Sequence, residues 1–97
     1  MMYMFLATDT EHSQEARQKA RPLHLARLKE LQAENRLVVA GPNPLPEDNT
    51  QFSGSLIIAE FASLDEAQAW AEQDPYVQAG VYEEILIRPF MKVLPNE

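Results

Sequence analysis

The sequence predicts an α+β fold of the ferredoxin-like type, in which a four-stranded antiparallel sheet carries both of its helices on one face. One observation behind this prediction is length, since 97 residues suffice for a single core. Another is the order of the predicted elements, which is strand, helix, strand, strand, helix, strand. No repeat or low-complexity linker divides the chain, so we expect one domain over residues 1–97.

The first strand and the first helix occupy the N-terminal third. Residues 2–7 (MYMFLA) are almost continuously apolar, which is typical of a strand covered on both faces. The pattern over residues 14–35 is helical, but Pro22 lacks the N–H that an interior helical position donates. We therefore expect a short helical piece, a kink or restart at Pro22, and a regular helix to about Glu34.

A proline-rich stretch separates the second and third strands. Residues 37–40 (LVVA) have strand composition, and we expect Gly41 and Pro42 to end that strand. Residues 43–54 (NPLPEDNTQFSG) contain two more prolines and indicate a surface loop. Residues 55–61 (SLIIAEF) form the third predicted strand.

A capping box opens the second helix, because Ser63 is followed three residues later by Glu66. The apolar stripe of this helix consists of Leu64, Ala67, Trp70 and Ala71.

The chain then makes a short turn and a last strand. Asp74 before Pro75 ends the second helix and suits the cap of a short helical turn that closes at Gly80. Residues 85–94 form the last strand, and Pro89 favours an edge position or a bulge. The strands are apolar on both sides although the helices cover only one face. A second copy of the chain would bury the other face, so we expect a homodimer.

Composition excludes several classes of function. The chain has 8 basic and 15 acidic residues, a net charge of −7, whereas nucleic-acid binders need a basic surface. Absence of cysteine excludes disulfides and thiolate chemistry. The longest apolar run, residues 1–7, is too short to span a bilayer and lacks the basic flank of a signal peptide. We therefore expect a cytoplasmic protein with neither nucleic acid nor membrane as partner.

The charges are unevenly distributed. Residues 1–46 hold five acids and six bases, and residues 47–97 hold ten acids and two bases. Segregated charges on solvated surfaces explain this pattern, and so does a locally basic surface on an acidic protein. Both interpretations remain open from the sequence.

His24 is the first candidate for chemistry. On a helical wheel it lies within about 40° of Leu28 and about 20° of Leu31, on the face turned to the core. Arg17 and Arg21 share this face if the helix continues through Pro22. A buried histidine is either a hydrogen-bonded structural residue or a catalytic one, and buried charges need partners in both cases.

Asp74 is the second candidate. Its place before Pro75 makes it a helix cap, and a capping carboxylate is also a fixed hydrogen-bond acceptor. If the fold brings it to His24, it would hold the imidazole in one tautomer and make it a general base.

Several segments together resemble the YCII-related family. They are residues 21–28 (RPLHLARL), 40–42 (AGP), 52–55 (FSGS), 66–70 (EAQAW), 74–77 (DPYV) and 79–82 (AGVY). The resemblance spans nearly the whole chain and implies a dimeric α/β barrel of ferredoxin-like subunits. It also implies a cofactor-independent enzyme whose histidine and aspartate match His24 and Asp74, a related member being a dehydrochlorinase acting on a hydroxylated aromatic ring.

The resemblance places four further residues around a pocket. Arg21 would anchor an anionic oxygen, or else form a surface ion pair. Gly54 and Ser55 would present N–H groups and a hydroxyl to a ligand, or else form a turn before a strand. Tyr76 would line the pocket or simply belong to the core.

Three functions compete on this basis. The first is proton transfer by His24 on a small, anionic or cyclic substrate, of the lyase, isomerase or dehydrochlorinase kind. The second is a small-molecule binding or sensing module that uses the same pocket without chemistry. The third is a non-catalytic dimerisation domain. His12 and His24 have no metal-ligand spacing, and no nucleotide or nucleophile-elbow motif occurs, so we expect neither metal nor cofactor.

Overall fold

The computed structural model describes residues 1–96 and has the predicted ferredoxin-like α+β architecture. Its elements are β1 (Met2–Asp9), α1 (Gln14–Ala33), β2 (Leu37–Leu45), β3 (Asp48–Glu60), α2 (Leu64–Glu72), α3 (Pro75–Gln78) and β4 (Tyr82–Phe90). The sheet order is β2-β3-β1-β4, and every neighbouring pair is antiparallel. The predicted fold class is confirmed.

The core lies between the sheet and the helices. Alternate side chains of β1, among them Tyr3 and Phe5, point to the helix-covered face and are buried. Leu28 and Leu31 of α1 pack against them, at the wheel positions expected from the sequence. Phe5 also contacts the rings of Phe61 and Trp70, with centroids 5.6 and 5.4 Å away. This packing fixes the face of α1 that carries His24.

The first helix is continuous, so the break expected at Pro22 is wrong. Pro22 lies inside α1 with no interruption of the assigned helix. Proline deprives the carbonyl of Gln18 of its helical donor. Both Pro22 and Gln18 are exposed, so water can hydrate that carbonyl. Arg17, Arg21 and His24 therefore do share one helix.

The loop expected over residues 43–54 is also wrong, because these residues form a β-hairpin. β2 continues through Gly41 and Pro42 to Leu45, and β3 begins at Asp48. β2 is an edge strand, so its prolines need not donate to a neighbour on the outer side. The register shifts on either side of Pro44 absorb the remaining irregularity.

The C-terminal half follows its predictions more closely. The Ser63 hydroxyl accepts a hydrogen bond from the Glu66 N–H at the start of α2, which is one of the two bonds of the predicted capping box; within residues 1–96 the reciprocal bond to the Glu66 carboxylate is not formed. Asp74 caps α3, and Gly80 has a φ of +75°, which glycine adopts without strain. β4 is an edge strand, as Pro89 indicates, but it spans Tyr82–Phe90 rather than residues 85–94.

The second face of the sheet carries apolar side chains that no helix covers. Leu6 of β1 lies beside Leu56 of β3 and Leu86 of β4 in register. Leu6 is 41% exposed, Leu86 is 40% exposed and Val39 of β2 is 48% exposed. We call this surface the open face. No helix within residues 1–96 has both the length and the apolar character needed to cross a membrane.

Candidate functional site

The fold brings His24 and Asp74 together although 50 positions separate them in the sequence. His24 Nδ1 lies 2.9 Å from Asp74 Oδ1 and 3.1 Å from Oδ2. Both side chains are buried. The helix α1 supplies the histidine and the start of α3 supplies the aspartate, so the contact depends on the packing of these two helices.

Asp74 makes both of the contacts that the sequence allowed. Its Oδ1 accepts a hydrogen bond from the Tyr76 N–H at 2.9 Å, which caps α3. The same carboxylate faces the ring of His24. Because the cap fixes the carboxylate, it also fixes the ring that binds to it. An acceptor at Nδ1 retains the proton there and leaves Nε2 with a free lone pair.

Tyr76 holds the other side of the imidazole. The two rings are stacked, with centroids 3.9 Å apart and planes inclined by 12°. Tyr76 is only 1% exposed yet borders the same cavity as His24, so it belongs to the core and to the cavity wall. Burial raises the pKa of the Tyr76 phenol, and the positive charges of Arg17 and Arg21 oppose that increase.

A cavity of about 570 Å³ opens beside His24, between α1 and the β2–β3 hairpin. This volume suits a small organic molecule. Its polar lining consists of Gln14, Arg17, Gln18, Arg21, His24, Thr50, Gln51, Ser55 and Tyr76. Its apolar lining consists of Leu25, Leu28, Ala40, Gly41, Pro42, Phe52 and Ile57. His24 Nε2 has no hydrogen-bond partner among residues 1–96 and is the ring nitrogen left for a molecule in this cavity.

Arg17 is the most highly connected side chain of the site. Its Nε donates to Asp9 Oδ2 at 3.0 Å, and both of these side chains are buried. Its Nη2 donates to the Gly54 carbonyl at 2.9 Å and to the Ser55 hydroxyl at 2.7 Å. The burial of this charge is therefore compensated by an anion and two neutral acceptors.

Gly54 and Ser55 do not form a turn before a strand, since both lie inside β3. Gly54 accepts from Arg17 through its carbonyl. A Cβ at Gly54 would overlap the Ala7 carbonyl oxygen of β1, so the close approach of these strands requires glycine. Ser55 lines the cavity and holds Arg17 with its hydroxyl. Ligand contacts by these two residues stay predictions.

Arg21 lies at the cavity and makes no ion pair within residues 1–96, in contrast to Arg17. The structure therefore favours the second interpretation of the charge asymmetry, a locally basic surface on an acidic chain. In the same part of the chain, no three His, Asp or Glu side chains are grouped so that they could hold a metal ion.

The sequence places Arg17 on the same helix face as His24 but does not single it out as a site residue, and it does not indicate that Phe52 and Gln14 belong to the site. Arg17 is seven residues before His24, about 20° away on the wheel, and that spacing was the available signal. Phe52 lies in the segment expected to be a loop. The Gln14 side chain donates to the Phe52 carbonyl at 3.1 Å and accepts from the Phe52 N–H at 3.3 Å. These two bonds attach the hairpin to α1 and form one wall of the cavity.

Comparisons with known proteins agree with this fold. The chain is 52% identical over 97 residues to protein YciI of Escherichia coli O6:H1, covering 96% of this chain and 99% of the relative. It is 50% identical over 97 residues to an uncharacterised protein of Haemophilus influenzae, with the same coverage.

Among solved structures, the chain resembles 5-chloro-2-hydroxyhydroquinone dehydrochlorinase (TftG) from Burkholderia phenoliruptrix AC1100, in complex with 2,5-dihydroxybenzoquinone. The TM-score is 0.82 at 28% identity, and the match covers 94% of each chain. A family model described as the YCII-related domain matches residues 1–91. The chain therefore belongs to the YCII-related family.

Proposed function

We propose that this protein is a cofactor-independent enzyme that transfers a proton on a small anionic or cyclic substrate. His24 is the general base in this proposal, and Asp74 orients it. The observation that carries the proposal is the hydrogen bond between His24 Nδ1 and the Asp74 carboxylate, made at the wall of a cavity large enough for a small molecule.

The proton would move through His24 Nε2. With its Nδ1 proton bound to Asp74, the neutral ring offers the Nε2 lone pair to a C–H or O–H of the substrate. The imidazolium that forms is stabilised by the buried carboxylate of Asp74. Stacking on Tyr76 prevents the ring from turning away while the proton is held. The proton then returns to another atom of the substrate or leaves with a departing group.

The charges around the cavity support an anionic substrate. Arg17 is paired with Asp9, whereas Arg21 has no counterion in the described part of the chain. A bound anion would supply that counterion. The apolar side chains of Leu25, Leu28 and Phe52 line the remainder of the cavity and suit the body of a ring.

The relative of known activity supports a reaction of the same kind. TftG is named as a dehydrochlorinase of a hydroxylated aromatic compound, and it shares 28% of its residues with this chain. Loss of HCl begins with removal of a proton by a base and ends with departure of chloride, which needs no cofactor. A lyase reaction would use the same proton abstraction by His24 with another leaving group, and an isomerase reaction would return the proton to a different atom of the substrate.

We also propose that the enzyme is a homodimer that pairs two open faces. Leu6, Leu86 and Val39 are 40% to 48% exposed in one subunit. Packing them against their copies would remove these aliphatic side chains from water. The open face lies on the opposite side of the sheet from His24, so dimerisation would leave the cavity accessible. The cytoplasmic location, the independence from cofactors and the single domain over residues 1–97 stay predictions.

Incubation with 5-chloro-2-hydroxyhydroquinone tests the proposal, with released chloride as the signal. We expect the wild-type protein to release chloride faster than buffer and His24→Gln to lose that acceleration while remaining folded by circular dichroism. Equal rates for the two proteins would contradict the role of His24. A wild-type protein that binds the compound and returns it unchanged would favour the binding or sensing module instead.

A further inference from the structure

The hydrogen bonds of Arg17 restrict how it can bind a substrate. A guanidinium group has five N–H bonds, one on Nε and two on each Nη. The Nε hydrogen is directed to Asp9, and Nη2 donates to both Gly54 and Ser55. The two hydrogens of Nη1 therefore remain, and Nη1 has no acceptor among residues 1–96.

The orientation of this group is fixed as well. The Arg17 side chain is only 8% exposed. Its Cζ lies 5.1 Å from the centroid of the Phe52 ring and 4.9 Å from that of Tyr76, each in a cation–π contact. Two aromatic rings and three acceptors prevent the guanidinium from turning another edge to the cavity.

This arrangement blocks the usual recognition of carboxylates by arginine. A carboxylate binds best to two parallel N–H bonds on neighbouring nitrogens, either Nη1 with Nη2 or Nε with Nη2. Both pairs need Nη2, whose hydrogens are already donated. A carboxylate at Nη1 would gain one bond and leave its second oxygen without a donor from this arginine. A ligand with a single oxyanion oxygen would need only the N–H groups of Nη1.

We propose that Arg17 is a specificity-determining residue that selects a substrate with a single oxyanion oxygen, a phenolate or an enolate, over a carboxylate. The inference rests on the proposed function, since it defines the substrate class of the same cavity. Arg17 Nη1 would bind the oxygen on which negative charge accumulates when His24 removes a proton from a neighbouring atom. Asp9 and Ser55 then act as positioning residues, because they keep Nε and Nη2 occupied.

Two probes of equal charge and similar size test this inference by isothermal titration calorimetry. They are 4-nitrophenolate, with one oxyanion oxygen, and benzoate, with two, both measured at a pH where 4-nitrophenol is ionised. We expect the wild-type protein to bind 4-nitrophenolate at least about fivefold more tightly, because the second oxygen of benzoate loses the charge-assisted bond that a bidentate arginine would donate. Arg17→Gln should abolish this preference, whereas the surface variant Arg36→Gln should retain it.

Arg17→Gln leaves Asp9 buried without its partner and can therefore impair folding. A second variant, Ser55→Ala, keeps the test decisive in that case. Ser55→Ala frees one Nη2 hydrogen, so the preference for 4-nitrophenolate should narrow. Equal binding of the two probes to the wild-type protein, or a preference unchanged in both variants, would overturn the inference and leave the His24 mechanism standing. If neither probe binds, the anion cavity of the proposed function fails together with the inference.

Discussion

His24 Nδ1 lies 2.9 Å from Asp74 Oδ1, and the same Asp74 oxygen accepts the N–H that begins α3. One carboxylate thus caps the start of a helix and orients an imidazole. The two functions can be separated by mutation, because capping requires only an acceptor oxygen whereas stabilising a protonated His24 requires the negative charge of the carboxylate.

Asp74→Asn is expected to separate them. The asparagine oxygen can still cap α3, so the free energy of unfolding should change by less than about 1 kcal/mol. The same oxygen can still face His24 Nδ1, but the negative charge that stabilises the imidazolium is lost, and an N–H₂ group replaces Oδ2 at 3.1 Å from Nδ1. Turnover should fall by about 100-fold or more, the usual contribution of a general base. Asp74→Ala is the matched variant and should lose stability as well as turnover. An Asn variant with wild-type turnover would contradict the orienting role.

Substitution of Gly54 by alanine tests how closely β3 approaches β1. Gly54→Ala should lower the free energy of unfolding by about 1 to 3 kcal/mol, because the new methyl group meets the Ala7 carbonyl oxygen. Gly41→Ala is the control, since a Cβ there has nothing within 4 Å. Urea denaturation of both variants measures the difference. Equal stabilities for the two would show that the strands separate without cost.

Substitution of Leu6 by aspartate tests the proposed dimer. Leu6→Asp places a charge at the centre of the open face and should convert the protein to a monomer in sedimentation equilibrium. Leu64→Asp is the control, because Leu64 is also 41% exposed but lies on α2. A wild-type protein that sediments as a monomer at micromolar concentration would refute the dimer.

Tyr82 gives a prediction for alkaline pH. Its hydroxyl is buried, and burial raises the pKa of the phenol above its ordinary value of 10.0, outweighing the opposite effect of the neighbouring Ser55 hydroxyl. Above pH 10 the unfolded chain releases this proton while the folded chain retains it, so the free energy of unfolding falls as pH rises. Tyr82→Phe should be as stable as the wild type at pH 7 and lose less stability above pH 10. Identical pH profiles from thermal denaturation would contradict this.

The sequence predicted the fold class and the principal pair of the site because both depend on local signals. The periodicity of α1 placed His24 beside Leu28 and Leu31, and Asp74 before Pro75 indicated a cap. Their contact across 50 positions followed only from the family resemblance, since no spacing rule links α1 to α3.

Two predictions failed because tertiary position outweighed local composition. Pro22 lies on the exposed side of α1, where the unpaired carbonyl can be hydrated. Pro42 and Pro44 lie on an edge strand, where a missing donor costs little. The prolines of residues 43–54 therefore predict a loop where the structure has a hairpin, and the cavity wall that carries Phe52 does not follow from the sequence. Which N–H groups of Arg17 are free depends on the position of Gly54 and Ser55 inside β3, and local sequence does not determine that position.

Solvent exchange tests proton transfer by His24 most directly. The protein is incubated in D₂O with 5-chloro-2-hydroxyhydroquinone and with enolisable anions, and deuterium incorporated at carbon is followed by proton NMR. We expect the wild type to accelerate exchange for at least one compound, and His24→Gln to reduce that acceleration by about 100-fold or more. The variant of the exposed histidine, His12→Gln, should exchange like the wild type. Undiminished exchange in His24→Gln would contradict the role of His24 as the base.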